Sequence, residues 1–406
     1  MSAQDDLVSV TALAAGGAGI GRFGDGQVVF VDGALPGDRV RVEVTERRKD
    51  FARAKIAGLE EWSPDRIEAP CPLVSQGCGG CGWQHVDPAA AGRLKTDIVL
   101  DALRRIGRVR HDVEVLDPVA VAPDAYRTSA RLAVRADGSL GYHRRRSAEL
   151  VGVDHCGVLH PRLDELLGVV SVSGTDTVTL RVGIAGGERL AVVGLGRKPS
   201  GDHPPVHIDA PAGVVVVSGP ADRARFYEAA GGRMWRVSAR SFFQSGPAAA
   251  ALLSHAVDRA VGDELGPGDV VVDAYSGVGL LGGVVAARSG ASVVAVESSR
   301  SAVADARANL ADLQAEVVHA EVGRWSPSNA DVVVADPSRP GLGRPGVGAL
   351  VATGAARIVL VSCDPASLGR DASLLAAEGY RAMTVQVTDL FPRTPHVEAV
   401  TCFVRS

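Results

Sequence analysis

The 406-residue chain has no uninterrupted apolar run near the roughly 20 residues that a membrane-spanning helix needs. A membrane partner is therefore not expected. Its first residues, Met1-Ser2-Ala3-Gln4-Asp5-Asp6, carry neither a basic region nor an apolar stretch, so no secretory signal is expected. Excess positive charge is missing too. The formal net charge of -4 argues against a uniformly basic nucleic-acid binder. A composition of 46% hydrophobic and 22% charged residues is that of an ordinary globular protein. A soluble, cytoplasmic, monomeric protein of two or three domains is the expectation.

Charge is nevertheless clustered. Arg47-Arg48-Lys49, Arg104-Arg105 and Arg144-Arg145-Arg146 are local basic runs. Such runs are ordinarily solvated faces, and they become RNA contacts only if the chemistry elsewhere points to RNA.

The chain reads as three units. Short alternating runs separated by glycine-rich turns (Val8-Ser9-Val10-Thr11, Gln27 to Val31, Asp38 to Val44, Lys55-Ile56-Ala57) predict a small OB-like barrel over residues 1–62, with Arg47-Arg48-Lys49 in its last loop. Residues 63–236 read as a mostly β central domain. It has a hairpin around Asp137-Gly138, strands at Thr177 to Val182 and Leu190 to Leu195, and an amphipathic helix over 89–107 expected to pack on the catalytic domain. From 237 to 406, strands and helices alternate in the βαβ rhythm of a doubly wound, Rossmann-like sheet, so the fold class is α/β. Its strands are Val270 to Asp273, Ser292 to Glu297, Asp331 to Asp336, Arg357 to Val361 and Ala399 to Val404.

In such a sheet, ligands collect at the carboxyl ends of the strands. Asp273-Ala274-Tyr275-Ser276-Gly277-Val278-Gly279 lies between a strand and a helix, where glycines allow close backbone approach to a ligand. Glu297 ends the next strand, placed to accept hydrogen bonds from ribose hydroxyls. The loop lacks Gly-x-Gly-x-x-Gly, which disfavours a dinucleotide. The pattern resembles the S-adenosyl-L-methionine-dependent methyltransferase fold. Asp273, Tyr275, Gly277, Gly279 and Glu297 are the cofactor-binding candidates.

Cys363, in Val361-Ser362-Cys363-Asp364-Pro365, follows a buried strand. Alone it would be a core filler, because free cysteine is among the most buried residue types. Its company changes that reading. Ser241-Phe242-Phe243-Gln244, Asp336-Pro337-Ser338-Arg339 and Pro395-His396-Val397-Glu398 stand in order around it. Together these segments resemble the RNA uracil-C5 methyltransferase family, with departures at Gly246 (Asn in the family), Ser338 (Pro) and Asp364 (Asn). The resemblance implies a thiolate at Cys363 that adds to C6 of uracil and a base at Glu398 that removes the C5 proton. It also implies Asp336 and Gln244 as contacts to cofactor or base, and Phe242 and Arg339 as substrate residues. An amino-methyltransferase is disfavoured because Arg339 stands where an aromatic residue would be needed.

Cys71, Cys78, Cys81 and Cys156 suit a metal centre rather than disulfides in a cytosolic chain. Four thiolates accept either zinc or an iron–sulfur cluster, and spacing does not choose. The ribosomal-RNA branch of the family, with its N-terminal TRAM domain, implies a [4Fe–4S] cluster and 23S rRNA as partner. Transfer RNA, or a non-catalytic RNA-binding role, are the alternatives. Cys402, in the closing strand, reads as core.

Overall fold

A computed structural model describes residues 7–193, 206–219 and 223–406. Five strands, β1 (Leu7–Leu13), β2 (Gly19–Arg22), β3 (Val28–Asp32), β4 (Arg39–Arg47) and β5 (Phe51–Glu61), close into a barrel in the order β1-β2-β3-β5-β4. Their alternation buries Val8, Val10, Val29, Val31, Val40 and Val42 inside it. β2 was not foreseen: Gly-Ile-Gly-Arg reads as a turn, yet Gly21 is needed where the strand crosses Val8 and Ser9 too closely for a side chain. The basic run ends β4 and begins the β4–β5 turn.

Helix α1 (Pro88–Arg105) is capped by Asp87, whose carboxylate accepts the Ala89 N–H (2.9 Å), with Pro88 at the first position. Strand β6 (Glu114–Ala120) follows. The central segment then forms β7 (Ser129–Val134), β8 (Leu140–His143), β9 (Leu150–Gly152), α2 (Pro161–Asp164), β10 (Ser171–Ser173), β11 (Thr177–Val182), β12 (Arg189–Val193), β13 (His207–Asp209) and β14 (Val214–Val217). Six of these make a sheet in the order β14-β12-β11-β7-β8-β9. The expected strand Leu190 to Leu195 is β12; Gly194 and Leu195 lie outside the described residues. A hairpin, β15 (Arg225–Ala230) and β16 (Arg233–Ser238), leads to the last region.

That region comprises α3 (Pro247–Val261), β17 (Val270–Ala274), α4 (Leu280–Ser289), β18 (Ser292–Glu297), α5 (Arg300–Asn309), β19 (Ala315–His319), β20 (Val332–Ala335), α6 (Gly343–Ala352), β21 (Arg357–Ser362), α7 (Pro365–Ala377), β22 (Tyr380–Asp389) and β23 (Ala399–Arg405). The eight-stranded sheet runs β19-β18-β17-β20-β21-β23-β22-β6. The strands from β19 to β21 are mutually parallel, and β23 is antiparallel to both its neighbours. Both faces are covered, so the strands are almost wholly apolar. Val271, Val359 and Val361 pack with α3 and α4, whereas Val272, Ile358 and Leu360 pack with α1, α6 and α7.

Residues 63–236 are thus not self-contained. They lend β6 to the catalytic sheet, paired with β22, and α1 to its flank against α7. α1 is anchored by Lys95, whose ammonium is fully buried, 2.6 Å from Asp389 and 5.7 Å over the Trp83 ring. The barrel meets the same region. Leu13 and Leu35 pack with Trp83 and Leu94, and the tight turn at Gly17 (φ +85°) leaves no room for a side chain beside Trp83 and Pro395.

Candidate active site

Strand register assembles the site. In the β21–β23 ladder Ser362 opposes Ala399, so the next rung sets Cys363 against Glu398. In the parallel pairs, Ala274 faces both Val296 and Ala335, so Tyr275, Glu297 and Asp336 leave adjacent strands at one level. These ends open on a cavity of about 840 Å³. Phe242, Gln244, Asp273, Tyr275, Gly277, Glu297, Asp336, Arg339, Cys363 and Glu398 line it. Gly279 does not. It sits at the α4 N-cap with φ +87°, packed on Leu310, and serves the turn. Phe242 is 66% exposed, while its neighbour Phe243 is buried.

One end of the cavity suits a nucleoside. Glu297 accepts the Gly277 N–H (2.9 Å) and the Ser299 N–H (2.6 Å), which fixes the acid beside the glycine loop. Asp273 Oδ2 accepts the Gly282 N–H (2.9 Å) from the close-packed first turn of α4, but its Oδ1 and the Ser276 hydroxyl are buried without a partner. Burial pushes the Asp273 carboxyl up to about 7, with Asp336 and Glu297 adding to the rise. Buried orphan acceptors beside a helix N-terminus and a glycine loop are what a polar, hydroxyl-bearing and amino-bearing cofactor would satisfy.

The other end holds Cys363, Glu398 and Asp336. Burial lifts Glu398 well above the ordinary carboxylate range, and Asp336 adds to it; its Oε1 has no partner. Burial raises Asp336 as well. Two such carboxyls facing each other favour one shared proton. Burial pushes the Cys363 thiol up to about 11; Glu398 and Asp336 add to the rise, and Arg339 opposes it. Behind it, Asp364 caps α7 by accepting the Ser367 N–H (2.7 Å), a role that aspartate and asparagine share. Gly246 is accounted for too. A side chain there would collide with the Tyr126 carbonyl, because the α3 entry lies against residues 126–128. Nothing in the structure explains Ser338.

Among the cavity residues that sequence reasoning missed are Arg127, Phe391 and His396. Arg127 and Phe391 lie in stretches without a motif. His396 was noticed only as part of a segment; it is exposed at the edge of the cavity. Its ring meets Phe391 edge-on at 6.0 Å.

Cys71, Cys78, Cys81 and Cys156 line a second cavity of about 170 Å³, and none is in a disulfide. The segment between Cys71 and Cys78 folds as a short 3-10 turn, and Gly77 (φ +86°) returns the Cys78 N–H to the Leu73 carbonyl at 3.0 Å. Burial pushes Cys156 up to about 11, and the other three thiols add to the rise. Such a set becomes thiolate only with a cation among it. Among the described residues, no three metal-ligating side chains converge on a position for one ion. Cys402 is buried in β23, as core.

The TRAM domain model matches residues 6–57. An RNA methyltransferase of Streptomyces avermitilis is 36% identical over 97% of this chain and 96% of its own length. The 23S rRNA (uracil(1939)-C(5))-methyltransferase of Acidithiobacillus ferrooxidans is 31% identical over 100% of this chain and 98% of its own. The crystal structure of the Pyrococcus abyssi tRNA (uracil-54, C5)-methyltransferase in complex with S-adenosyl-L-homocysteine superposes with a TM-score of 0.71 at 25% identity, covering 98% of this chain and 99% of that one. Similarity along the whole chain, joined to a cysteine and a glutamate opposed at the sheet's carboxyl edge, identifies it as a TRAM-containing member of the RNA uracil-C5 methyltransferase family.

Proposed function

We propose that the protein methylates C5 of one uridine in 23S rRNA, using S-adenosyl-L-methionine and a covalent bond between Cys363 and C6. The observation that carries this is the cross-strand opposition of Cys363 and Glu398 beside Asp336. S-adenosyl-L-methionine, held by the glycine loop, Glu297 and Asp273, supplies an electrophilic methyl group. The chain's own residues do the rest. Phe242, exposed at the rim, gives a face on which an extruded base stacks. Asp336, in its protonated form, hydrogen-bonds the uracil edge. The Cys363 thiol gives up its proton to solvent, favoured by the Arg339 charge, and the thiolate adds to C6, which makes C5 nucleophilic; C5 would take the methyl group as its bond to the cofactor's sulfur breaks and leaves the neutral thioether. The Glu398 carboxylate then takes the C5 proton, and the sulfur leaves as a thiolate.

The ribosomal substrate is favoured by relatives that share the full chain length. The transfer-RNA alternative rests on the solved neighbour. The cavity that the four cysteines share supports a metal centre there, either zinc or a [4Fe–4S] cluster. Iron, sulfide and zinc analysis of anaerobically purified protein separates the two. Labelled-methyl transfer to 23S rRNA and tRNA transcripts tests the reaction. Transfer to rRNA is expected from the parent and none from Cys363→Ala; equal transfer from Cys363→Ala would refute the mechanism.

A further inference from the structure

Two half-buried cationic side chains line the cysteine cavity, each with one buried donor unused. Arg127 Nε and Arg393 Nη1 are sealed from solvent and have no hydrogen-bond acceptor. Both side chains line the cavity of Cys71, Cys78, Cys81 and Cys156. Arg127 also lines the catalytic cavity, its guanidinium 5.4 Å over Phe391 and 5.7 Å over Tyr126. It is thus a wall shared by the two cavities.

Arg393 lies in residues 390–398, the segment between β22 and β23 that carries Phe391, His396 and Glu398. Its φ of +61° is in the left-handed region, unfavourable for arginine, so the surroundings must hold it there. They do so from the cysteine side. The Trp83 N–H, two residues beyond Cys81, donates to the Arg393 carbonyl at 2.9 Å, and the Tyr126 hydroxyl donates to the Pro392 carbonyl at 3.2 Å. Arg393 Nε pairs with Asp124 at 3.1 Å. The Arg127 N–H and C=O bond to Val158 and His160, just beyond Cys156.

Four thiolates around a zinc ion or a doubly charged cluster leave about two net negative charges. That charge is the acceptor that Arg127 Nε and Arg393 Nη1 lack. We propose that Arg127 and Arg393 are positioning residues: they tie a filled, anionic cysteine cavity to the catalytic segment 390–398, and so hold Phe391, His396 and Glu398 in working geometry. The proposal rests on the metal reading of the four cysteines. It gives their centre a task at the reacting base rather than a purely local structural one.

The test is amide hydrogen exchange of the full chain without RNA, on metal-loaded and metal-depleted protein, for the parent, Arg393→Gln, Arg393→Lys and Arg127→Gln. Depletion and either Gln substitution are expected to speed exchange in 390–398 about tenfold, with Arg393→Lys between. In Arg393→Gln, depletion should add less in that segment than it does in the parent, because one of the two ties is already cut. In Arg393→Gln and Arg393→Lys, affinity for S-adenosyl-L-homocysteine stays at the parent's value, and the loss in turnover falls on kcat. Should Arg127→Gln fail to fold, parent depletion and Arg393→Lys decide alone. Bound metal with unchanged exchange in 390–398 on depletion would overturn the coupling only. Absence of iron and zinc from the purified protein would overturn the metal reading and the coupling with it.

Discussion

Cys363 and Glu398 act on each other before any substrate arrives. The carboxyl beside the thiol is one reason the thiol stays protonated in the free protein. Glu398→Gln removes that negative neighbour, so the thiol should titrate lower, by on the order of one unit. Alkylation of Cys363 by iodoacetamide, followed against pH in protein whose other thiols are tracked by peptide mapping, should move to lower pH in the variant. An unmoved midpoint would mean that the two groups do not interact. Gly246 makes a second prediction at this scale. Gly246→Asn, although it restores the residue common in the family, forces a side chain against the Tyr126 backbone and should cost roughly 1–3 kcal/mol of stability in denaturant titration. The residues easiest to read from sequence were those with a chemical signature, such as Cys363 after its apolar strand. Arg127 and Phe391 were not legible, because their place depends on the packing of the central segment against the 390–398 loop, which no local pattern encodes.

At the scale of elements, the parallel core was plain because strands covered on both faces read as continuous apolar runs, as in Val270 to Asp273 and Arg357 to Val361. β6 was hidden for the opposite reason. Glu-Val-Leu-Asp-Pro-Val-Ala carries a proline and two acids, tolerable only on an edge strand, and it forms by pairing with β22. β2 was masked by its glycines. The buried Lys95–Asp389 pair, which ties α1 to the end of β22, was equally invisible, since 294 residues separate the partners. Lys95→Ala leaves a buried carboxylate without its ammonium and should destabilise the protein by about 3–5 kcal/mol. Asp389 also accepts the Phe391 N–H (3.2 Å), so the same variant should lower methyl transfer even where it remains folded. Thermal melts and turnover measured together check this; stability within 1 kcal/mol of the parent would contradict it.

For the whole molecule, the barrel stands beside the catalytic segment, with Gly17 against Pro395 and Arg146 of the central segment paired with Asp32 of β3. Its outer face carries arginines laid over aromatic rings, Arg47 over Phe23 at 4.9 Å and Arg53 over Phe30 and Phe51. This arrangement suits a phosphate-tracking surface on a chain whose net charge is negative. Reversing Arg47, Arg48 and Lys49 to Glu should weaken rRNA binding and flatten the dependence of log affinity on log salt by about 2, three contacts of roughly 0.7 each. Cofactor affinity should not change. Filter binding across a salt series measures both, and an unchanged slope would place the RNA elsewhere.

The most direct measurement of the central claim is covalent trapping. Glu398→Gln, incubated with S-adenosyl-L-methionine and 23S rRNA transcript, retains the thiol proposed to add to C6 but lacks the base proposed to release it. It should therefore accumulate a denaturation-resistant protein–RNA adduct through Cys363, with the methyl group already on the uracil. The Cys363→Ala, Glu398→Gln double variant should form none. Full turnover by Glu398→Gln without an adduct, or an adduct formed equally in the double variant, would contradict the account.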